Sequence, residues 1–312
     1  MNKLAYRYYK NLEECGFARD SHDTIIHDDS FVPENSDARG YQDTISKFIV
    51  DGTPFYTKYW QDEASVFGIA SNKMYTDIDI ITPPETVIIV DPSKFDGEAV
   101  RSMSQDICSA KRIECIPATK VLEPIVSMFA TSIPTKTKWE QLSEPYLIDA
   151  LLNIMTPDCL DEFIGIMMLD EIRTDNDRHT GNFFFYKKPG YYKYCGVVPF
   201  DLNHAKIALK DVSSEQDFNA FIRTRYKTVT VTQHDDIGSY NERLTAMKRA
   251  INSGIISNES IHMLRDGLKY DLPKAVKDLC SHPLLSEHSK LYSATARLWD
   301  YSRDNLQDTL SL

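Results

Sequence analysis

The sequence predicts an α+β protein of two lobes, a small lobe rich in antiparallel β-strands and a larger, mainly helical lobe. Alternating and β-branched runs are concentrated before residue 108, whereas longer helical segments separated by prolines dominate after it. We therefore expect an N-lobe at 1–108 and a C-lobe at 109–312. With 312 residues, 42% of them hydrophobic, the chain is long enough to bury such a core.

Composition narrows the class of function. The net charge of −11 argues against a nucleic-acid-binding surface, which is normally basic. No run reaches the roughly 18 apolar residues of a membrane span, and the start of the chain lacks the apolar core of a signal peptide. The six cysteines form no Cys-x-x-Cys pair, which favours a reducing compartment. These features predict a soluble, cytoplasmic protein.

The predicted N-lobe contains a hairpin, a helix and two further strands. Residues 1–20 can form a short amphipathic helix, and 20–40 are polar loop. Residues 44–50 and 54–60 alternate as strands around Asp51-Gly52, a strong hairpin turn. Alternation places Tyr56, Lys58 and Trp60 on one face of the second strand. The helix follows at 62–75, with acids in its first turn, and the strands follow at 86–90 and 98–104.

The predicted C-lobe is built around a segment with an unusual order of parts. An apolar run at 163–169 reads as a buried helix, and a polar, turn-forming stretch follows at 174–181. Two short β-like runs then flank the turn signal at 187–190 and indicate a hairpin that ends at Asp201. The remaining predicted helices are 118–128, 139–155, 158–172, 214–226, 239–253, 258–267, 271–281 and 285–307, with a polar strand or loop at 228–232.

This order suits phosphoryl transfer. That reaction needs a carboxylate to orient the attacking hydroxyl and oxygen ligands that hold Mg²⁺ on the nucleotide phosphates. Asp177 and Asn182 are five residues apart in the polar loop, and Asp201 ends the hairpin. We therefore expect Asp177, Asn182 and Asp201 to be the catalytic residues.

The loop resembles that of HipA- and CtkA-type bacterial serine/threonine kinases. Those proteins use an Asn-Asp-Arg-His-x-x-Asn loop followed by Pro-x-(Phe/Tyr)-Asp, which this chain matches at 176–182 and 199–201. Phosphatidylinositol kinases share the Asp-Arg-His-x-x-Asn portion. The resemblance covers about 35 residues with specific motifs and implies a bilobal protein-kinase-like fold, ATP and Mg²⁺ as cofactors and a protein serine or threonine as acceptor. After Asp201 the chain has Leu-Asn where such relatives often have x-Gly.

The resemblance also assigns expected roles. Asp177 would orient or deprotonate the acceptor hydroxyl, and Asn182 and Asp201 would ligate Mg²⁺. Lys58, on the strand after the hairpin turn, would neutralise the α- and β-phosphates, because an ammonium pairs with phosphate oxygens. Lys47 on the first strand is the alternative candidate for this role. Glu63 would hold Lys58.

The other nucleotide contacts are expected from the phosphate-covering loop and from the strand before the interlobe linker. Ser46 belongs to the first group, and Met103 and Gln105 belong to the second. No Gly-x-Gly-x-x-Gly loop precedes the first strand. Within the polar loop, His179 is expected to order the backbone, and Arg178 either holds a nearby carboxylate or phosphate or is solvated.

Several alternatives stay open at this point. A lipid or small-molecule kinase, a nucleotidyl transferase, or a nucleotide-binding pseudokinase that serves as an interaction module would carry similar motifs. The sequence also leaves open a regulatory protein partner, a role as a bacterial toxin or a delivered effector, and autophosphorylation at Ser36, Thr44 or Ser46. No Gly-x-Ser-x-Gly or His-Glu-x-x-His motif supports a hydrolase or a zinc protease.

Overall fold

The structure is a computed structural model that describes most of the chain. The described residues are 18–19, 25–26, 46–50, 53–94, 99–107, 113–129, 138–142, 145–210, 212, 214–229 and 235–312. The predicted helix at 1–20, the turn at 51–52, Ser36 and Thr44, and the lobe boundary near residue 108 lie outside these ranges, apart from the short strand at 18–19.

The N-terminal part contains a six-stranded sheet with the order β1-β2-β5-β6-β4-β3. All neighbouring strands in it are antiparallel except β2 and β5. The hairpin predicted at 44–60 is confirmed by β3 and β4, and the next two predicted strands correspond to β5 and β6. The strands are β1 (Ala18–Arg19), β2 (Ile25–Ile26), β3 (Ser46–Val50), β4 (Thr53–Tyr59), β5 (Glu85–Ile89) and β6 (Val100–Gln105).

Helix α1 (Asp62–Asp77) lies between β4 and β5 and is buried along most of its length. Its small residues allow close packing on more than one side. A β-carbon at Gly68 would lie 3.0 Å from the β-carbon of Asn203, which is closer than ordinary van der Waals contact. The helix is therefore wedged between the sheet and the segment that follows Asp201.

The C-terminal part is mainly helical and contains two small antiparallel sheets. The first has the order β7-β8-β9 and includes the predicted catalytic hairpin, and the second is the pair β10-β11. Its strands are β7 (Glu114–Pro117), β8 (Phe183–Lys187), β9 (Gly196–Pro199), β10 (Tyr226–Val229) and β11 (Asp235–Gly238). The helices are α2 (Ala118–Phe129), α3 (Lys138–Leu142), α4 (Pro145–Ile154), α5 (Pro157–Ile172), α6 (Glu215–Arg223), α7 (Tyr240–Asn252), α8 (Asn258–Lys269), α9 (Leu272–Cys280) and α10 (Lys290–Leu310).

Three sequence interpretations need correction. The strand β7 (Glu114–Pro117), which pairs with β8, was not predicted in the mainly helical stretch 108–172. The single helix expected at 139–155 is two helices, α3 and α4, because Pro145 starts a new helix where its missing N–H costs no hydrogen bond. The helix expected at 285–307 begins later, after a 3₁₀ segment at Pro283–Ser289.

The core of the C-terminal part surrounds α5, the helix that leads into the catalytic loop. Its start is fixed by Thr156, whose side chain accepts a hydrogen bond from the Cys159 backbone N–H. The ring of Phe163 packs against Phe183 and Phe185 of β8 with centroid distances of 5.7 and 5.8 Å. This packing holds the helix and the hairpin at the two ends of the catalytic loop. No helix in the described ranges is long and apolar enough to cross a membrane.

Candidate active site

Lys58 and Asp201, 143 residues apart in sequence, form an ion pair at the centre of the candidate site. Lys58 lies on β4 opposite Ser102 of β6, and its Nζ donates a hydrogen bond to Oδ1 of Asp201 at 2.9 Å. Each side chain is 27% exposed, so the pair is partly open to solvent. The lysine and the second acid selected from the sequence are therefore in direct contact.

A second carboxylate, that of Glu85 at the start of β5, acts on the same lysine. Burial lowers the pKa of Lys58, but the carboxylates of Asp201 and Glu85 outweigh it and hold that pKa above its ordinary value. Burial raises the pKa of Asp201, but the Lys58 ammonium more than compensates, and the pKa of Asp201 lies below its ordinary value. Burial raises the pKa of Glu85, against the opposing effects of Lys58 and of a hydrogen bond with Ser102. Lys58 is thus a charged ammonium between two acids.

The predicted pairing of Lys58 with Glu63 is not observed. Oε1 of Glu63 lies 3.4 Å from Nδ1 of His288, in the 3₁₀ segment before α10. Glu63 stands in the first turn of α1, and acids are favoured there by the helix dipole whether or not they have another role. Glu85, which lines the same cavity, is the second acid whose charge raises the pKa of Lys58. The sequence signal that could have revealed it is an acid at the start of an otherwise apolar strand.

The loop at 176–182 is held from within by Arg178, which is buried. Its Nε donates to Oδ2 of Asp170 at 2.7 Å, and its Nη1 donates to the backbone oxygens of Asn182 and Phe200 at 2.8 Å each. Arg178 therefore holds a carboxylate, one of the two alternatives that the sequence left open. It also ties the end of the loop to the residue before Asp201.

Asn182 and Asp177 are linked inside this loop. The side-chain Nδ2 of Asn182 donates to the backbone oxygen of Asp177 at 2.8 Å, so its Oδ1 is the remaining polar atom of the amide. The Asp177 side chain is 30% exposed, as a group that meets an incoming substrate must be. The predicted catalytic loop is thus folded with its carboxylate accessible.

Two histidines flank Asp177. Nε2 of His204 lies 3.8 Å from Oδ2 of Asp177 and 3.9 Å from Oδ2 of Asp201, and so bridges the space between the two acids. Nε2 of His179 lies 3.8 Å from Oδ2 of Asp177, and its Nδ1 accepts a hydrogen bond from the Gly181 backbone N–H at 2.9 Å. His179 orders the loop as expected. His204 was not selected from the sequence.

Asp201 has a left-handed backbone, with φ of 58°. Aspartate tolerates this region better than most residues, but the conformation still has to be maintained by its surroundings. Arg178 binds the carbonyl of Phe200, and Nη2 of Arg173 donates to the carbonyl of Leu202 at 2.6 Å. Two buried arginines therefore bind the carbonyl of the residue before Asp201 and the carbonyl of the residue after it.

A cavity of about 330 Å³ opens beside the Lys58–Asp201 pair, within the size range typical of small-molecule sites. Phe184 and Phe200, stacked at a centroid distance of 4.7 Å, line one side of it. The other lining residues are Tyr56, Lys58, Asn72, Pro83, Glu85, Ser104, Gln105, Asp106, Ile107 and Asp201. A flat apolar region next to a charged end suits a nucleotide.

The other predicted nucleotide contacts are distributed unevenly around this cavity. Gln105 lines it, and Tyr56 and Lys58 share the predicted face of β4. Met103 is buried opposite Thr57, on the other face of the sheet from Lys58, and is not among the described lining residues, contrary to expectation. For Ser46 only the backbone is described, opposite Thr57 on β3. Lys47 does not line the cavity, which favours Lys58 over its substitute.

The possible metal ligands are oxygen atoms. The Asp201 carboxylate and the Asn182 amide oxygen fit a hard cation such as Mg²⁺, which is usually bound by one or two protein groups together with phosphates and water. Across the described ranges, no three histidine, cysteine, aspartate or glutamate side chains are grouped so that they could hold a metal ion. The donor set thus fits Mg²⁺ bound jointly with a nucleotide.

Sequence reasoning missed the buried residues that support the loop. Asp170 is 1% exposed and binds both Arg173 and Arg178; the two arginines outweigh its burial, so its pKa lies below its ordinary value. The signal was an Asp-Glu pair directly after the apolar run 163–169, where a charge on a buried helix requires a partner. Nothing in the sequence indicated that Tyr75 of α1 would reach this network.

The comparisons with known proteins concern structure. No protein-family model and no curated protein matches the sequence. The proinflammatory kinase CtkA of Helicobacter pylori matches with a TM-score of 0.53 and 13% identity over 85% of this chain and 92% of that chain.

Two further structures are matched less well. HipA of Shewanella oneidensis, solved with HipB and operator DNA, matches with a TM-score of 0.48 and 11% identity over 99% of this chain and 73% of that chain. The choline kinase LicA of Streptococcus pneumoniae gives a TM-score of 0.23 and 10% identity over 88% and 90%. Both TM-scores lie below 0.5, so the fold assignment rests on the first comparison. That comparison confirms the predicted kinase-like fold.

Proposed function

We propose that this chain, which has the fold of the kinase CtkA, is an ATP- and Mg²⁺-dependent kinase that phosphorylates serine or threonine side chains of proteins. The observation that carries the proposal is the contact between Lys58 and Asp201 at the charged end of the cavity. Phosphate recognition needs a fixed cation, and metal binding needs a carboxylate beside it. Both groups are present, and the loop with Asp177 and Asn182 is adjacent.

The nucleotide would lie in the cavity with its base toward the linker and its phosphates toward Lys58. Phe184 and Phe200 offer an apolar surface to the base, and residues 104–107 line the same cavity at the end of β6. Lys58 would exchange its contact with Asp201 for phosphate oxygens. Glu85 would then remain as the carboxylate that orients the lysine, since it lines the same cavity and already acts on the ammonium.

Asp201 and Asn182 would hold Mg²⁺, which when bound neutralises the charge on the phosphates. Contacts within the protein fix the positions of these two residues. Arg178 connects the Asn182 carbonyl to the Phe200 carbonyl, so the two ligand-bearing residues share one buried support. One oxygen of Asp201 contacts Lys58.

Asp177 would act on the acceptor. The hydroxyl oxygen attacks the γ-phosphorus, the bond from that phosphorus to the bridging oxygen of ADP breaks, and the hydroxyl proton passes to the Asp177 carboxylate. The partial exposure of the Asp177 side chain supports this role. A serine or threonine acceptor is supported by the resemblance of 176–182 and 199–201 to HipA- and CtkA-type kinases.

The decisive experiment uses the pure protein with Mg²⁺ and ATP labelled at either the γ- or the α-phosphate. Acceptors are an unfolded protein rich in serine and threonine, choline, and vesicles that contain phosphoinositide. Transfer of γ-label to serine or threonine of the protein supports the proposal. Transfer of γ-label only to choline or to lipid would show that the acceptor is a small molecule or a lipid rather than a protein. Transfer of α-label to protein would indicate a nucleotidyl transferase. ATP binding without any transfer would indicate a pseudokinase.

Autophosphorylation belongs to the same proposal. Ser36, Thr44 and Ser46 are in or next to the segment expected to cover the phosphates, where an added phosphate would repel ATP. Phosphopeptide mapping after incubation with ATP tests this. Absence of phosphate from 36–46 in an active preparation contradicts it.

A further inference from the structure

We infer that helix α1 sets the position of Asp201, with Tyr75 as a positioning residue and Gly68 as the point of closest contact. This inference rests on the proposed function, because it concerns the residue that would hold Mg²⁺. It differs from the expected link between α1 and the site, since Glu63 contacts His288 rather than Lys58. The contacts that connect α1 to the site are buried and involve other residues.

The first step of the connection is the Tyr75 hydroxyl. It donates to Oδ1 of Asp170 at 2.9 Å and accepts from Nη1 of Arg173 at 3.2 Å. The same Nη1 lies 2.9 Å from Oδ1 of Asp170, so the three side chains form a closed set of contacts between α1 and the end of α5. A residue of α1 is thereby built into the support of the catalytic loop.

The second step runs from the arginines to Asp201. Arg173 uses its other nitrogen, Nη2, to bind the Leu202 carbonyl, and Arg178 binds both Asp170 and the Phe200 carbonyl. Asp170 is therefore the common partner of two side chains that grip the backbone on either side of Asp201. A shift of Asp170 or of Arg173 would therefore move the residues next to Asp201, and with them Asp201 itself.

Burial makes the tyrosine hydroxyl hard to replace. Tyr75 and Arg173 are 0% exposed and Asp170 is 1% exposed, so bulk water does not reach the position of the hydroxyl. The guanidinium of Arg173 also lies 5.3 Å from the centre of the Tyr75 ring, which a phenylalanine would preserve. Removing only the hydroxyl therefore tests the hydrogen bonds separately from the packing.

Gly68, about two turns before Tyr75 in α1, provides a second, independent contact. A β-carbon there would lie 3.0 Å from Cβ and 3.1 Å from Cα of Asn203, two residues after Asp201. In addition, Nδ2 of Asn203 donates to Oε1 of Gln61, just before α1, at 3.2 Å. Because glycine at position 68 has no β-carbon, α1 leaves room for Asn203.

The test compares Tyr75→Phe with Tyr240→Phe. Tyr240 is equally buried, and its hydroxyl lies 2.7 Å from Oγ of Ser302 and donates to the Ile172 carbonyl at 3.5 Å. Both variants therefore lose one buried hydroxyl, but only the Tyr75 hydroxyl bonds to the side chains of Asp170 and Arg173. ATP affinity is measured by calorimetry with Mg²⁺ and with EDTA, thermal unfolding is recorded for each variant, and phosphotransfer is followed as Mg²⁺ is varied.

For Tyr75→Phe we expect about fivefold weaker ATP affinity with Mg²⁺, the scale of one buried hydrogen bond, and unchanged affinity with EDTA. The Mg²⁺ concentration for half-maximal turnover should rise similarly, and Tyr240→Phe should lose thermal stability without either change. Wild-type Mg²⁺ dependence in Tyr75→Phe, or the same loss in Tyr240→Phe, overturns the inference while the proposed function stands. A wild-type protein that binds no ATP overturns both. If Tyr75→Phe does not fold, Gly68→Ala takes its place, and unchanged Mg²⁺ dependence in that variant overturns the inference.

Discussion

Replacement of Gly68 by alanine adds a single methyl group between α1 and Asn203. The new carbon would lie 3.0, 3.1 and 3.3 Å from Cβ, Cα and N of Asn203. Two of these three atoms belong to the backbone, so rotation of a side chain does not relieve the contact. The Asn203 backbone, α1, or both must move by a few tenths of an ångström.

Two opposing effects act on stability. Alanine is favoured over glycine inside a helix by about 1 kcal/mol, whereas overpacking a buried contact costs about 1–3 kcal/mol. The free energy of unfolding should therefore fall by no more than about 2 kcal/mol. Activity is more sensitive, because a displacement of 1 Å in a reacting group can cost about 100-fold, so a shift of about half that size at Asp201 should lower kcat by about tenfold.

The assay is steady-state phosphotransfer with urea unfolding of the same preparations. Asn203→Gly supplies the matched control, since it removes one of the three contacted atoms. The double variant Gly68→Ala/Asn203→Gly should recover part of the activity that Gly68→Ala loses relative to Asn203→Gly alone. Wild-type kcat in a folded Gly68→Ala protein would refute the reasoning, as would purely additive losses in the double variant.

Three further expectations concern single side chains. Asp177→Asn should keep Mg²⁺-dependent ATP affinity near wild type in calorimetry while turnover falls by about 100-fold or more, the scale of a lost general base; equal turnover would remove Asp177 from the reaction. Lys58→Ala should raise the KM for ATP in steady-state assays, and full activity there combined with a loss in Lys47→Ala would move the phosphate contact to β3. Burial raises the pKa of Glu162 to about 7 against the hydrogen bond from the Val197 N–H, so the folded protein binds a proton that the unfolded chain releases between about pH 4.5 and 7. The contribution of Glu162 to stability is therefore lost as pH rises through that window. In urea unfolding, the free energy of unfolding of Glu162→Gln should rise relative to that of the wild type from pH 4.5 to 7 and stay level above pH 7. A difference that does not change with pH would contradict the raised pKa.

The parts of the fold that the sequence predicted well are those with a local pattern. The alternation of 54–60 correctly placed Tyr56 and Lys58 on one face. The prolines and the polar loop marked where helices begin and end. The short strand Glu114–Pro117 was missed because its strand character depends on pairing with β8, which is distant in sequence. Its four residues carry too little periodicity to outweigh the helical neighbours.

The residues of the candidate site also differ in whether a local sequence pattern could identify them. Lys58, Asp177, Asn182 and Asp201 were selected because each stands at a recognisable point of a motif. Glu63 was expected to hold Lys58 but contacts His288 instead, and an acid in the first turn of a helix has a local explanation. A strand acid such as Glu85 becomes informative only when the fold brings it to the same cavity as Lys58. Tyr75 and Gly68 act through contacts with residues about 95 and 135 positions away, which no local pattern contains.

The most direct test of the central claim is calorimetric titration of ATP, with Mg²⁺ and with EDTA, into the wild-type protein and Asp201→Ala. The account predicts that Mg²⁺ strengthens ATP binding to the wild type and has little effect on Asp201→Ala. Binding to this variant in EDTA should be retained or strengthened, because Lys58 is released from the contact that it makes with Asp201. Absence of ATP binding to the wild type, or an undiminished Mg²⁺ effect in Asp201→Ala, would contradict the assignment of this cleft as a Mg²⁺–ATP site.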